Sequence, residues 1–138
     1  MKTILIVDDE TKIRNLYKRL LEKEGFSVVA AKNAELAHEL LLHHPVDLTL
    51  LDINLEAHVD GSTLYDVMAA FFQKTRVLVA SVYPVEEQKK RIEGAAGYYD
   101  KAEGIHGLIE QVKRVLEDAP EPAAALNQVC AKQWRARS

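Results

Sequence analysis

A single cysteine, Cys130, stands in 138 residues. No intramolecular disulfide can form, and cysteine offers no basis for a metal site. A large excess of charge of one sign is lacking as well. Eighteen Lys and Arg against 21 Asp and Glu leave a formal net charge of -3, which gives the body of the domain no nucleic-acid footprint. No apolar run is long enough to span a membrane, and Met1-Lys2-Thr3 leads straight into a strand-like run with no signal peptide. Cytoplasm is the expected compartment. There is no internal repeat. The five histidines, His38, His43, His44, His58 and His106, form no metal pattern and offer no phosphodonor. What remains is a chain 48% hydrophobic and 28% charged, the balance of one soluble globular domain with one core.

The stretch Leu48-Thr49-Leu50-Leu51-Asp52-Ile53-Asn54 organises the chain. Its first four residues read as a short buried strand. The run stops at a carboxylate, which is costly beside a core unless a charged partner is near. Thr3–Val7 is a near-continuous apolar run ending in Asp8-Asp9-Glu10, the pattern of a parallel strand covered on both faces. A helix follows from about Thr11 to Glu24, with Ile13, Leu16, Tyr17, Leu20 and Leu21 on one face and Gly25 as its stop. Phe26–Ala30 is a second strand. Asn33 caps a helix from Ala34 to about His43, which Pro45 terminates. Beyond the loop 54–60, Gly61 leads into a helix containing Leu64, Val67, Met68, Phe71 and Phe72. Arg76–Ala80 is a fourth strand ending at Ser81. Val85–Ile92 is a short polar helix, Tyr98-Tyr99 a brief fifth strand before Asp100-Lys101, and His106–Glu117 the last helix. Alternation of five strands with five helices predicts an α/β domain with a parallel sheet and right-handed crossovers.

In such a sheet the strand ends share one edge, where ligands bind. Asp8 and Asp9, Asp52, Ser81 and Lys101 all fall there. Three carboxylates at close range repel unless a cation intervenes. A hard divalent cation such as Mg²⁺ is the natural solution, and one or two carboxylates with such a metal present a phosphate. Lys101 adds positive charge and Ser81 a hydroxyl. A carboxylate can itself attack phosphorus and form an aspartyl phosphate.

These residues bring a family into view. Ile6-Val7-Asp8-Asp9-Glu10, Leu51-Asp52-Ile53-Asn54, Asp60-Gly61, Ala80-Ser81 and Gly97-Tyr98-Tyr99-Asp100-Lys101 stand in order on matching elements. Over about Lys2 to Glu117 the chain resembles a response-regulator receiver domain of two-component signalling. The resemblance implies a five-stranded parallel sheet of order 2-1-3-4-5 flanked by five helices, a flavodoxin-like three-layer sandwich like that of the chemotaxis regulator. It implies a phosphorelay module rather than an enzyme, with Mg²⁺-dependent self-phosphorylation and autodephosphorylation. Asp52 is then the phosphoacceptor. Asp8, Asp9, Asp52 and the backbone carbonyl of Asn54 hold Mg²⁺. Lys101 contacts the phosphoryl group, and Ser81 and Tyr98 are the switch pair. Tyr83 borders the path of the hydrolytic water. The implied partners are a sensor histidine kinase or a histidine phosphotransfer protein, with no membrane or nucleic-acid contact by this domain, and a monomer or a weak phosphorylation-dependent dimer.

Two departures from the family pattern stand out. Ala102 follows Lys101 where the family usually has proline, so a trans bond is expected there, since a cis bond before a non-proline residue costs about 2.5–4 kcal/mol. The loop Leu55–Gly61 lacks the usual proline and is one residue longer. A rival reading is a Mg²⁺-dependent phosphatase with an aspartate nucleophile, which needs a second acid where Asn54 stands. Another is a receiver-like module that binds partners without phosphorylation. The composition shift at Asp118-Ala119-Pro120-Glu121-Pro122 divides the chain into a receiver domain, 1–118, and a linker or tail, 119–138. Leu126, Val129, Cys130 and Trp134 give the tail near-helical spacing, open to a partner or dimer helix, the start of an output region, or a mobile tail.

Overall fold

A computed structural model describes residues 1–55 and 61–117. In chain order they form β1 (Thr3–Val7), α1 (Thr11–Lys23), β2 (Ser27–Ala31), α2 (Ala34–His43), β3 (Leu48–Asp52), α3 (Gly61–Phe71), β4 (Arg76–Ser81), α4 (Val85–Arg91), β5 (Gly97–Asp100), a one-turn 3₁₀ helix at Lys101–Glu103, and α5 (Ile105–Glu117). The strands pair in parallel in the order β2-β1-β3-β4-β5. The expectations for residues 56–60 and for the tail lie outside the described residues.

The period-two alternation of each strand separates two cores. Ile4 and Ile6 of β1, Leu48 and Leu50 of β3, and Leu78 and Ala80 of β4 face Tyr17 and Leu21 of α1 and Leu108, Val112 and Val115 of α5. Leu5 and Val7, Leu51, and Val77 and Val79 face Ala37 and Leu41 of α2 and Leu64 and Met68 of α3. The sheet is therefore covered on both faces, which is why its strands are written almost wholly in apolar residues. β3 is the central strand, and every residue of it is buried.

Local sequence sets the ends. The amide of Gly25 donates to the carbonyl of Glu22, and that of Phe26 to Leu21, with Gly25 at φ +99°. This Schellman turn closes α1 and delivers Ser27, not Phe26, opposite Thr3. The second strand is accordingly one residue later than its apolar pattern suggests. The Asn33 side chain accepts from the amide of Leu36 at 2.8 Å and caps α2. Leu16, placed by spacing on the inner face of α1, is exposed, and so is Phe71 at the end of α3. The inner stripe of α3 runs through Gly61, Leu64 and Met68, and Phe71 falls off it.

Gly61 explains itself sterically. A Cβ there would overlap the carbonyl oxygen of Asp52 and come within 2.8 Å of the Ile53 Cα. The close approach is fixed by the Gly61 amide, which donates to the Ile53 carbonyl at 2.8 Å. Alanine improves helix propensity by at most about 1 kcal/mol, and backbone atoms cannot yield as a flexible side chain would. Gly61→Ala is therefore expected to destabilise the domain by about 3 kcal/mol. Urea unfolding checks this: the midpoint should fall with little change in slope.

Candidate functional site

The carboxyl ends of β1, β3, β4 and β5 lie along one edge. Parallel pairing sets Val7 opposite Leu51, Asp52 opposite Ala80, and Ser81 opposite Asp100. Asp8 follows β1, Asp52 ends β3, Ser81 ends β4 and Lys101 follows β5. Asp8, Asp52 and Ser81 are buried, Asp9 and Lys101 half-buried.

One ammonium ties the acids together. Lys101 Nζ lies 2.8 Å from Asp8 Oδ2 and 3.4 Å from Asp52 Oδ2. The other oxygen of Asp8 accepts from the amide of Glu10 at 3.0 Å, and the Asp8 carbonyl accepts from Arg14 at 2.8 Å. Asp52 Oδ1 accepts a long bond, 3.3 Å, from the amide of Asn54. Asp9 makes no hydrogen bond or ion pair among the described residues. One carboxylate oxygen from each of Asp8, Asp9 and Asp52 lies within 4.8 Å of the others. Hard, crowded oxygen donors with a single lysine among them fit a hard divalent cation.

Burial pushes the Asp52 carboxyl up to about 6; Lys101 opposes this, the charge of Asp8 reinforces it, and the Asn54 amide and the Lys101 hydrogen bond oppose it. Burial alone would lower the Lys101 ammonium, but its hydrogen bond to Asp8 and the charges of Asp52 and Asp8 outweigh burial and raise it. Tyr17 of α1, buried against this edge, is raised by burial first and then by the charges of Tyr99, Asp8 and Asp52.

No hydrogen bond among the described residues joins Ser81 or Tyr98 to the acids. Ser81 Oγ accepts from the amide of Tyr83 at 3.2 Å. Tyr98 is half-buried against the α2/α3 core. Its hydroxyl donates to the Ile92 carbonyl at 2.7 Å and accepts from the Ala95 amide at 3.1 Å. The Lys101–Ala102 peptide is trans. Ala102 uses the N–H that proline would lack: it donates to Asp100 Oδ1 at 2.9 Å and opens the 3₁₀ turn. His38, His43, His44 and His106 join no cluster with metal-ligating geometry among the described residues.

Sequence reasoning missed Gln88. It has no exposed surface, and its Nε2 donates to the carbonyls of Tyr83 and Tyr99 at 2.8 and 2.9 Å. Its Oε1 is buried without a partner among the described residues, a cost of about 1–3 kcal/mol. A signal was present. Val85, Gln88 and Ile92 stand at helical spacing in the sequence, so a glutamine holds a core position.

A parallel α/β sheet of this order with an acidic, lysine-bridged strand edge defines the class. The chain belongs to the response-regulator family: the family model described as "Response regulator receiver domain" matches residues 4–113. It is a receiver domain, the module that receives the signal in two-component phosphorelays. It is 44% identical over 63 residues to "Response regulator GtcR" of Aneurinibacillus migulanus, covering 46% of this chain and 26% of that one. It is 32% identical over 117 residues to a "Putative response regulator NtrX-like" of Rickettsia bellii, covering 83% and 24%. With the transcriptional regulatory protein CpxR of Escherichia coli it shares 30% over 116 residues, covering 84% and 50%. The chain thus spans half the length or less of these curated relatives. Among solved structures, a CheY-like receiver domain from Methanospirillum hungatei superposes with TM-score 0.79 at 28% identity, covering 86% of this chain and 95% of that one. The Thermotoga maritima regulator TrrA, solved with Mg(2+)-BeF, superposes with TM-score 0.73 at 27% identity, covering 83% and 99%. No helix among the described residues is long and apolar enough to cross a membrane.

The raised Asp52 carboxyl has a consequence for stability. Between an ordinary value of 3.8 and about 6, folded Asp52 keeps a proton that the unfolded chain has lost. Its contribution to stability therefore falls as pH rises through that window, and stays low above it. In metal-free protein, Asp52→Asn should stabilise by about 2 kcal/mol near pH 7, and the gain should vanish below about pH 4. Thermal melts of both proteins in chelator across this range check it.

Proposed function

We propose that Asp52 accepts a phosphoryl group and that the strand edge around it is the machinery of transfer. The observation that carries this reading is a buried carboxylate whose oxygen lies 3.4 Å from a lysine itself held by Asp8. One oxygen of Asp52 attacks the phosphorus of a phosphohistidine donor, the bond from phosphorus to the imidazole nitrogen breaks, and the imidazole leaves with that electron pair. Lys101 is placed to neutralise charge on the transferring oxygens, and Asp8 orients its ammonium. Catalysis here is positioning and electrostatics. Asp9 and Asp52, with the carbonyl of Asn54 and with Asp8 directly or through water, would hold Mg²⁺. The ion would supply positive charge to the phosphoryl oxygens. Asp9 has its carboxylate uncommitted, whereas Asp8 spends both oxygens on Lys101 and Glu10.

The donors are a sensor histidine kinase or a histidine phosphotransfer protein. The module acts by changing its binding face rather than by turning over a substrate, and it works in the cytoplasm. Ser81 and Tyr98 form the switch that reports the phosphoryl group. Residues 1–118 form the receiver, and 119–138 a tail or linker to an output. The phosphatase reading is disfavoured because Asn54 cannot serve as a general acid, and its amide is directed at Asp52.

A small-molecule phosphodonor such as acetyl phosphate, with Mg²⁺, is expected to add one phosphoryl group to the wild type and none to Asp52→Asn, as read by intact-protein mass. Incorporation at an equal rate in the variant moves the acceptor elsewhere. A failure of the wild type with both small donors and histidine kinases would favour a module that binds partners without phosphorylation.

Mg²⁺ should raise the melting temperature of the unphosphorylated protein. At ten times its dissociation constant the gain is about 1.4 kcal/mol. Calorimetry of the wild type and Asp9→Asn checks the ligand set: the variant should lose most of the gain.

A further inference from the structure

Tyr83, in the connection between β4 and α4, is gripped at three points. Its amide donates to Ser81 Oγ at 3.2 Å. Its carbonyl accepts from Gln88 Nε2 at 2.8 Å. Its ring carries the Arg91 guanidinium 4.1 Å from the centroid. Gln88 and Arg91 both belong to α4, so the helix is fastened to this one residue through backbone and ring. The same Gln88 nitrogen reaches across to the Tyr99 carbonyl of β5 at 2.9 Å. The neighbouring Tyr98 carbonyl accepts from Gln111 of α5 at 2.8 Å. A continuous path of bonds thus runs from Ser81 through Tyr83 and Gln88 to β5, and through β5 to α5.

The orientation of the Gln88 amide follows from its partners. Exchanging its oxygen and nitrogen would aim the oxygen at two carbonyl oxygens. The nitrogen therefore faces Tyr83 and Tyr99, and Oε1 is left as a buried acceptor without a partner among the described residues. Buried polar side-chain atoms are nearly always hydrogen-bonded, and an exception calls for a cause. Here a donor lies on the residue that Gln88 already holds. Tyr83 precedes Pro84, which favours extended backbone at that residue; in that conformation the N–H and C=O of one residue point to the same side, and one carboxamide can pair with both.

We propose that Gln88 is the positioning residue that carries the change at Ser81 to α4 and β5: when the Ser81 hydroxyl turns to a phosphoryl group on Asp52, the Tyr83 amide leaves it and pairs with Gln88 Oε1. The inference rests on the reading of Asp52 as acceptor and Ser81 as switch. It adds the step by which a hydroxyl movement becomes a helix movement. Tyr83 pairs with Gln88 through both its N–H and its C=O in the phosphorylated state, and through its C=O alone at rest. α4 and the Tyr83 connection then shift as one piece, and the bond from Gln88 to Tyr99 draws β5 with them.

Hydrogen exchange of the Tyr83 amide tests this, in wild type and Gln88→Met, free and with Mg²⁺ and beryllofluoride as the phosphoryl analogue. Analogue binding is read separately, from the amides of Ile53 and Lys101. In the free proteins Ser81 Oγ protects the Tyr83 amide, and the two should exchange within about twofold of each other. With analogue bound, Tyr83 in Gln88→Met should exchange about tenfold faster than in wild type, the worth of one hydrogen bond. A glutamine that merely braces the helix would change exchange by one factor in both states, and that result overturns the proposal. Loss of analogue binding in Gln88→Met overturns it too, because Gln88 would then support the acceptor site itself. If wild type fails to bind the analogue, the acceptor reading falls and this inference with it. If Gln88→Met does not fold, the wild-type Gln88 side-chain carbonyl carbon decides: its chemical shift should move as the oxygen gains a donor on analogue binding, and a fixed shift rejects the proposal.

Discussion

One ammonium group holds this strand edge together. Lys101 stands between Asp8 and Asp52, so the ends of β1, β3 and β5 meet through a single charge. The arrangement is a compromise. Lys101 satisfies Asp8 at 2.8 Å and reaches Asp52 only at 3.4 Å. Asp8 has its second oxygen bonded as well, whereas Asp52 has one long amide bond besides. Burial of Asp52 is accordingly under-compensated, and its carboxyl is pushed up to about 6. Removing the lysine would leave two buried carboxylates side by side, a loss of about 3–5 kcal/mol by the usual cost of breaking a buried pair. The site is thus held in tension at Asp52, with the compensation spent on Asp8.

The two faces of the sheet divide the labour. On β5, consecutive tyrosines serve different cores: Tyr99 packs with α1 and α5, and Tyr98 with the α2/α3 side. Ser81, by its parity with Val77 and Val79, goes with Tyr98. Asp52, by its parity with Leu48 and Leu50, and Ser81 therefore point to opposite faces of one layer. They meet only at the strand edge, where Asp52 pairs with Ala80, the residue before Ser81.

Much of this was legible in the chain. Near-continuous apolar runs ending in Asp8, Asp52 and Ser81 revealed a doubly covered sheet and the edge where the acids gather, because few other arrangements repay a carboxylate at the end of a buried strand. The Asn33 cap and the Gly25 stop were readable for the same reason: each residue type has a local bond or backbone angle that it alone supplies cheaply. What escaped depended on long-range partners. Gln88 looks like one more polar residue on a short polar helix until the carbonyls of Tyr83 and Tyr99 are found beside it. The departure at Ala102 could be read as a trans bond. That Asp100 would claim the freed N–H could not be foreseen without the turn that brings them together. Register moved β2 by one residue because the α1 turn, not hydrophobicity, decides which residue meets Thr3.

The bond between the Gly61 amide and the Ile53 carbonyl has a further consequence. It ties off the connection after Asp52 at its base, at a contact too tight for any side chain. The segment from Ile53 to Gly61 is thereby held at its two ends. Chain entropy for such a loop grows only logarithmically, so one added residue costs about 0.1 kcal/mol. A one-residue extension in Leu55–Gly61, as the family resemblance implies, would in this sense be almost free. Sequence can lengthen or shorten there while the Ile53–Gly61 contact, next to Asp52, stays as it is.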